Sequence, residues 1–463
     1  MLYAAVLVVI LATLLAVAIY KLRSVKKQAD FLVAGRTLGW PVLIFTLLSS
    51  WIGAGSLFAG GENAYQIGFA ALWAPAGGWL GLLVIAAIAG RARRFSQFTV
   101  PDLLETRYNA AARVLASVAI VASYTMITSY QFKAGGDVLH LIFPELSRTA
   151  GMYIIAAFVI AMTAVAGMAS VAYVDLVIGL LVTVTAVVAL PVAIASVGGW
   201  AEIRRALPAD HFTVYGSISP ATAWGYLLPT FLLLVGNQGM YQKFFSARSE
   251  RDARLAVFGW IAGTLLLEVV IIAIAVVGSA RFRLDNPREI IPTTARLALP
   301  QVLGAVLLGG IFAKVISTAN NYLFSPSTNL IHDIYGRFLR PGAGEREILV
   351  VSRLVVVLLG AFALIQGAYL ESILRASLYA YTVYGAAVTP AVMAVFFWKR
   401  ANTAGAVSSI VLGTVLTIVW NIVPGWKEWV EPVYPALIAS LVSLVAVSLL
   451  TAPPPKEKIE PFL

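Results

Sequence analysis

The stretch SSWIGAGSLFAGGENAYQIG, residues 49–68, decides how this chain is read. It lies in an apolar segment long enough to cross a bilayer. Yet Gly53, Gly55, Gly60 and Gly61 make its centre a poor helix former, and Ser49, Ser50 and Ser56 place hydroxyls there. A second stretch of the same kind, LPTFLLLVGNQGMYQ at 228–242, sets Pro229, Gly236 and Gly239 around Asn237 and Gln238. In hydrocarbon, backbone that leaves the helix must find partners in protein or in a water-filled cavity. Two such breaks in matching positions point to unwound backbone at mid-membrane, with carbonyls for a cation and helix termini for a solute. For either break alone, close helix packing through small residues is the plainer alternative.

Around these stretches the chain is apolar from end to end. Hydrophobic residues make up 60% of its 463 residues and charged ones 12%, with a mean hydropathy of +0.88; soluble domains are roughly 25% charged. Segments of about 20 apolar residues, enough to cross a core of roughly 30 Å as helices, recur throughout. Thirteen spans are predicted, at 3–20, 40–67, 70–90, 112–132, 150–168, 175–196, 219–241, 255–278, 301–323, 348–366, 377–398, 404–423 and 434–450. The fold class is therefore an all-α polytopic membrane protein. The two breaks fall in spans 2 and 7, the first helices of two five-span halves of opposite topology. The predicted organisation is an extra helix and loop at 1–37, a first inverted repeat at 38–217, a second at 218–402, and two further helices with a short tail at 403–463.

An odd number of spans puts the termini on opposite sides. One set of loops carries twenty-two of the 33 Lys and Arg residues, among them Arg23, Lys26, Lys27, Arg113 and Lys243; the other set carries ten, and Lys314 lies inside a span. The positive-inside rule then places the N-terminus outside and the C-terminus in the cytoplasm of a bacterial-type inner membrane. The first apolar segment lacks a basic n-region and reads as a retained span, not a signal peptide.

Other function classes are disfavoured. There is no cysteine, and His140, His211 and His332 are too scattered for a metal cluster. The net charge of +11 comes without a basic run interleaved with aromatics, so anionic membrane lipid is the expected counter-charge and no nucleic acid partner is expected. No obligatory protein partner is evident. An intramembrane enzyme would need a His–Asp/Glu pairing that the spans lack. The tail after Thr451, TAPPPKEKIEPFL, is too short for a signalling domain, which leaves a membrane sensor as a remote alternative.

Seven stretches carry a family resemblance: FLVAGRTLGW at 31–40, the broken second span, SYQFKAGG at 129–136, VAYVDLVIG at 171–179, MYQKFFSARSERDARLA at 240–256, AKVISTANNYLFSPSTNLIHDIY at 313–335 and YGAAVTPAVMAVFFWKRANTAGAV at 384–407. In this order they resemble the sodium:solute symporter family from about Asp30 to Asn421. The resemblance implies a LeuT-like core of five plus five helices, with one helix before it and two after. It implies sodium-coupled symport of a small organic solute by alternating access, with Na+ as the coupling ion. It places that ion between the broken span 2 and span 9, held by the hydroxyls of Ser317 and Thr318 and the backbone carbonyls of Ser49, Ile52 and Lys314. The chemistry agrees, because a hard cation takes oxygen ligands and a neutral set avoids burying a fixed anion. Read without the family, a Ser-Thr pair in a span bonds to its own preceding turn.

The departures matter most. Lys314 brings a full charge to a position where the family has a small residue, at a cost of about 3 kcal/mol at mid-membrane. Three readings stay open: pairing with Glu268 or Glu62, coupling to protons or solute, or an ammonium standing in for sodium. A proton-coupled rival would titrate Glu62, Glu268, Asp175 or Lys314. Asp175 matches a family acid thought to lie on the ion's exit route, and equally reads as a cap for span 6. By depth, Ser56, Gln131, Asn237, Gln238, Asn321 and Tyr381 are solute candidates. Gly55, Ser56 and Pro75 stand where the sugar-transporting branch places acid and amide groups, which disfavours a sugar. A carboxylate, amino acid or vitamin-like acid is expected instead, with Lys133 as its positive partner or snorkelling to the interface.

Overall fold

The computed structural model describes residues 1–22, 33–94, 99–165 and 168–462. Phe31, Leu32 and the basic run with Arg23, Lys26 and Lys27 lie outside the described residues. The helices are α1 (Leu2–Leu22), α2 (Trp40–Trp51), α3 (Gly60–Ile67), α4 (Trp73–Arg94), α5 (Val100–Arg107), α6 (Ala110–Ile142), α7 (Arg148–Val165), α8 (Met168–Ser196) and α9 (Trp200–Ala206). They continue as α10 (Pro220–Gly236), α11 (Gln238–Ser246), α12 (Glu250–Arg281), α13 (Ile290–Leu297), α14 (Gln301–Thr328), α15 (Glu345–Tyr369), α16 (Ile373–Phe397), α17 (Thr403–Ile422), α18 (Trp426–Trp429) and α19 (Val433–Leu450). Helix starts follow their caps: the side chains of Thr99, Asn109, Ser219, Ser249, Ser372 and Asn402 each accept from an orphan N–H of the first turn.

Among the described residues, ten helices are long and apolar enough to cross a membrane, and Leu2–Val17 and Trp40–Trp51 are shorter apolar ones. Length and hydropathy alone therefore do not reach the expected thirteen. The breaks themselves are one reason, since they leave α2 with 12 residues and α10 with 17.

Burial sorts the helices into centre and rim. The apolar windows of α14 and α16 are 83% buried, whereas those of α15 and α19 are 28% buried and turn most of their surface outward. The functional elements thus pack around α14.

Two sets of contacts tie one end of the bundle, the end bearing the C-terminal tail. Leu38, just before α2, pairs with Ala247, just after α11, through Leu38 N–H to Ser246 O at 3.1 Å and Arg248 N–H to Leu38 O at 2.8 Å. Arg93 adds a 2.6 Å bond to the Ala247 carbonyl, and Trp40 N–H donates to Asp252 at 3.1 Å. The ends of the two broken helices are thereby joined to each other. Beside them, Arg113 grips Asp333 at 2.9 Å and also reaches Asp102 and Glu105, while Arg337 holds Glu105 at 2.8 Å. Asp333 receives Thr99 and Asn329 as well, each at 2.8 Å.

Candidate functional site

The first break is a short interruption. Ile52 leaves the helix with φ −81°, ψ 110°, and helical backbone resumes as a π-turn over Gly55–Ala59 that runs on into α3. The freed Ala54 N–H is taken by the Gln131 side-chain oxygen on α6 at 2.9 Å. A Cβ at Gly53 would stand 2.6 Å from the Thr318 side chain, so only glycine lets α14 approach the break this closely. The second break is Asn237, with φ −56°, ψ 109°, between α10 and α11. Its side-chain oxygen accepts from Met240 N–H at 3.2 Å and from the Tyr124 hydroxyl at 3.0 Å, and its amide donates to the Tyr322 hydroxyl at 3.2 Å.

Between α2, α8 and α14 lies a buried polar cluster with two compartments. In the first, the Thr318 hydroxyl is 3.1 Å from the Ser49 carbonyl and 3.1 Å from the Ile52 carbonyl, the two acceptors exposed by the break. In the second, the Asp175 carboxylate accepts from Thr46 at 2.6 Å, from Ser317 and from the Asn321 amide at 3.2 Å. Ser49 joins the two. Its carbonyl faces Thr318, whereas its hydroxyl donates to the Asp175 carbonyl at 3.1 Å and accepts from the Lys314 ammonium at 2.8 Å. A second ammonium, Lys243 on α11, donates to the Asn321 oxygen at 2.7 Å, and Asp175 is the opposite charge facing both lysines.

Trp51 also lines a partly open cavity, together with Gly55, Ser56, Asn63, Glu268 and Tyr381 among others. Leu374 and Leu378 of its wall are shared with a wider vestibule bearing Glu62, Arg375, Glu428 and Glu431 at the end away from the tail.

The expected residues separate clearly. Ser49, Ile52, Ser317, Thr318, Asp175 and Lys314 come together. Lys314 does not pair with Glu268 or Glu62: its ammonium goes to Ser49, because the α14 face that carries it turns toward α2 and α8. Asp175 lies inside α8, fully buried, and its carboxylate takes side-chain donors from other helices, so the capping alternative fails. Of the seven solute candidates, Ser56 and Tyr381 line the cavity. Gln131 and Asn237 are used by the breaks, and Asn321 by the Asp175 cluster. Gln238 accepts from Val100 N–H toward the tail end, and Lys133 donates to the Leu370 carbonyl. Glu62 stands in the vestibule.

Lys243 is a correction. Counted among the loop positives, it is 1% exposed, because α11 carries the chain on as helix past the second break and turns this face inward. Two indoles join the expected residues: Trp51 and Trp79 donate to the two oxygens of Glu268 at 2.9 and 2.7 Å. Trp51 sits within the first quoted stretch, which was its only signal.

Residues 31–413 match the sequence profile described as "Sodium:solute symporter family". The chain is similar to the high-affinity proline transporter PutP of Bacillus subtilis (strain 168), with 25% identity over 94% of this chain and 95% of that protein. It is also similar to a sodium/proline symporter of Staphylococcus aureus, 24% identical over 92% of this chain and 88% of that one. Among solved structures, a Na+-coupled sialic acid symporter in a substrate-bound outward-open state superposes with a TM-score of 0.85 at 19% identity, covering 98% of this chain and 99% of that one.

Proposed function

The chain belongs to the sodium:solute symporter family, and we propose that its sodium ion binds in the Thr318 compartment while its solute occupies the cavity beside Trp51. It is a membrane transporter and not an enzyme, it couples to Na+, and it carries a small organic solute. The observation that supports the site is the placement of the Thr318 hydroxyl 3.1 Å from both carbonyls of the first break. Oxygens about 3 Å apart are the edges of a cage whose centre lies within coordinating reach of each, and all three are neutral. Ser49, Ile52 and Thr318 are its core, with the Ser317 hydroxyl and the Lys314 carbonyl close by in sequence.

The ammonium of Lys314 does not stand in this cage. It sits on the Asp175 side of Ser49 and offsets that carboxylate, which leaves room for one sodium ion per cycle. The contacts at the tail end form the cytoplasmic gate, and the vestibule opens to the outside, with the N-terminus outside and the C-terminus in the cytoplasm. Sodium entering from the vestibule straightens neither break; it ties α2 to α14 and favours closure over the solute. Residues 38–217 and 218–402 act as the two inverted repeats around these breaks. Among solutes, an amino acid is favoured, since the two relatives are named for proline.

A second reading is supported by one observation: two buried lysines face a single carboxylate. The surplus positive charge opposes sodium, and in this reading a buried lysine binds and releases the coupling proton in place of the ion. Uptake of a radiolabelled amino-acid mixture into proteoliposomes separates the two. Accumulation driven by an inward sodium gradient at equal pH supports the first; accumulation that requires an inward proton gradient and ignores sodium rejects it.

A further inference from the structure

We propose that Glu268 is the docking carboxylate for the solute, and that the solute therefore carries a protonated amine. The inference rests on the reading that the cavity beside the first break is the solute site. Glu268 projects from α12 into that cavity and is 4% exposed. Its oxygens are held one each by the Trp51 and Trp79 indoles, at 2.9 and 2.7 Å. An ionised carboxylate accepts at about four lone-pair positions, so two remain to be filled. Among the described residues no cation pairs with it, and no lysine or arginine lines the cavity.

Ionised, Glu268 would be a buried anion without a positive partner in the protein, a costly state that a cationic solute relieves on binding. The two indole donors fix the carboxylate in one orientation, as a recognition group requires. The walls agree, because Trp51 and Tyr381 offer aromatic faces that attract an ammonium. A simple carboxylate would meet only repulsion. Lys133, the positive partner expected from sequence, is engaged at the Leu370 carbonyl and is not among the lining residues. The solute class narrows to amines and amino acids, and a vitamin-like acid without an amine drops out.

The test uses purified full-length protein in detergent with sodium present. Its probes are the twenty standard amino acids, their decarboxylated amines and their 2-hydroxy-acid analogues, read by the shift in thermal unfolding. Stabilisation is expected only from ammonium-bearing probes. The best of these should lose about a hundredfold in affinity in Glu268→Gln. Glu268→Asp, which keeps the charge, should retain the preference at reduced affinity and shows that the site still folds. Stabilisation by the hydroxy acids, undiminished binding to Glu268→Gln, or no response to any probe would each overturn the proposal. Ser56→Trp, which narrows the same cavity and keeps Glu268, keeps the two readings apart: probe binding left intact in Ser56→Trp counts against the cavity as the solute site, whereas binding lost in Ser56→Trp but kept in Glu268→Gln counts against Glu268 alone.

Discussion

Lys314 and Ser49 meet ammonium to hydroxyl at 2.8 Å, while the carbonyl of the same serine faces Thr318 at 3.1 Å. One residue thus separates a charged compartment, which holds Asp175, from a neutral one made of oxygens. Lys314 serves the first and leaves the second free.

This division makes a prediction for Lys314→Met. Removing the ammonium strips a positive partner from a fully buried carboxylate, so the variant should be less stable by about 3 kcal/mol. Adding Asp175→Asn should cost less than the two single losses summed, because the carboxylate and one of its two ammonium partners disappear together, while Lys243 is left without its counter-charge. Thermal unfolding of the single and double variants in detergent checks this. Additive losses in the double variant would mean that the two charges do not interact. Sodium binding should survive in the single variant once it is folded.

Gly53→Ala probes the approach of α14 to the break. The added Cβ would lie 2.6 Å from two atoms of Thr318 and cannot be accommodated without separating the helices. Sodium affinity should fall by about tenfold or more, since small misplacements of ligating groups have effects of this order. Gly342→Ala, where nothing lies within 4 Å, is the control and should bind sodium as wild type does. Equal affinity of the two variants would remove the need for close packing at Gly53.

How much of this was legible before the structure depends on what each residue answers to. The breaks were, because glycine and asparagine act on their own backbone; the Ser317–Thr318 pair stood out as well, but the structure divides it, with Thr318 at the break carbonyls and Ser317 on Asp175. The partner of Lys314 was not legible. Glu268 and Glu62 stood out as acids in spans, whereas Asp175 joins Lys314 only through the packing of α8 against α14. Gln131 and Asn237 lie at the right depth for a solute, but unwound backbone in the membrane must be satisfied, and it takes them first. Lys243 looked like a loop residue since the sequence turns charged after Phe244, and only the continuation of α11 shows it facing inward. The role of Glu268 was hidden because its donors come from α2 and α4.

The charged network at the tail end yields a labelling prediction. Asp333 is the hub for Arg113, Thr99 and Asn329. The chain has no cysteine, so Ser325→Cys, buried near the second break with its hydroxyl unpartnered, gives a single reporter. Asp333→Asn should raise its maleimide labelling rate about three- to tenfold by populating the state open at that end. Arg340→Ala, which breaks the exposed contacts with Glu347 and Tyr335, should leave the rate unchanged. Equal rates in all three backgrounds would show that this network does not gate access.

The central claim is that one sodium ion binds where Thr318 faces the carbonyls of Ser49 and Ile52, and its most direct test is radioactive sodium binding to purified protein. Wild type should bind saturably with a Hill coefficient near one, Thr318→Ala should lose about tenfold or more in affinity, and Thr318→Ser should bind nearly as wild type. Wild-type binding that Thr318→Ala leaves intact, or no specific binding by folded wild-type protein, would contradict the account.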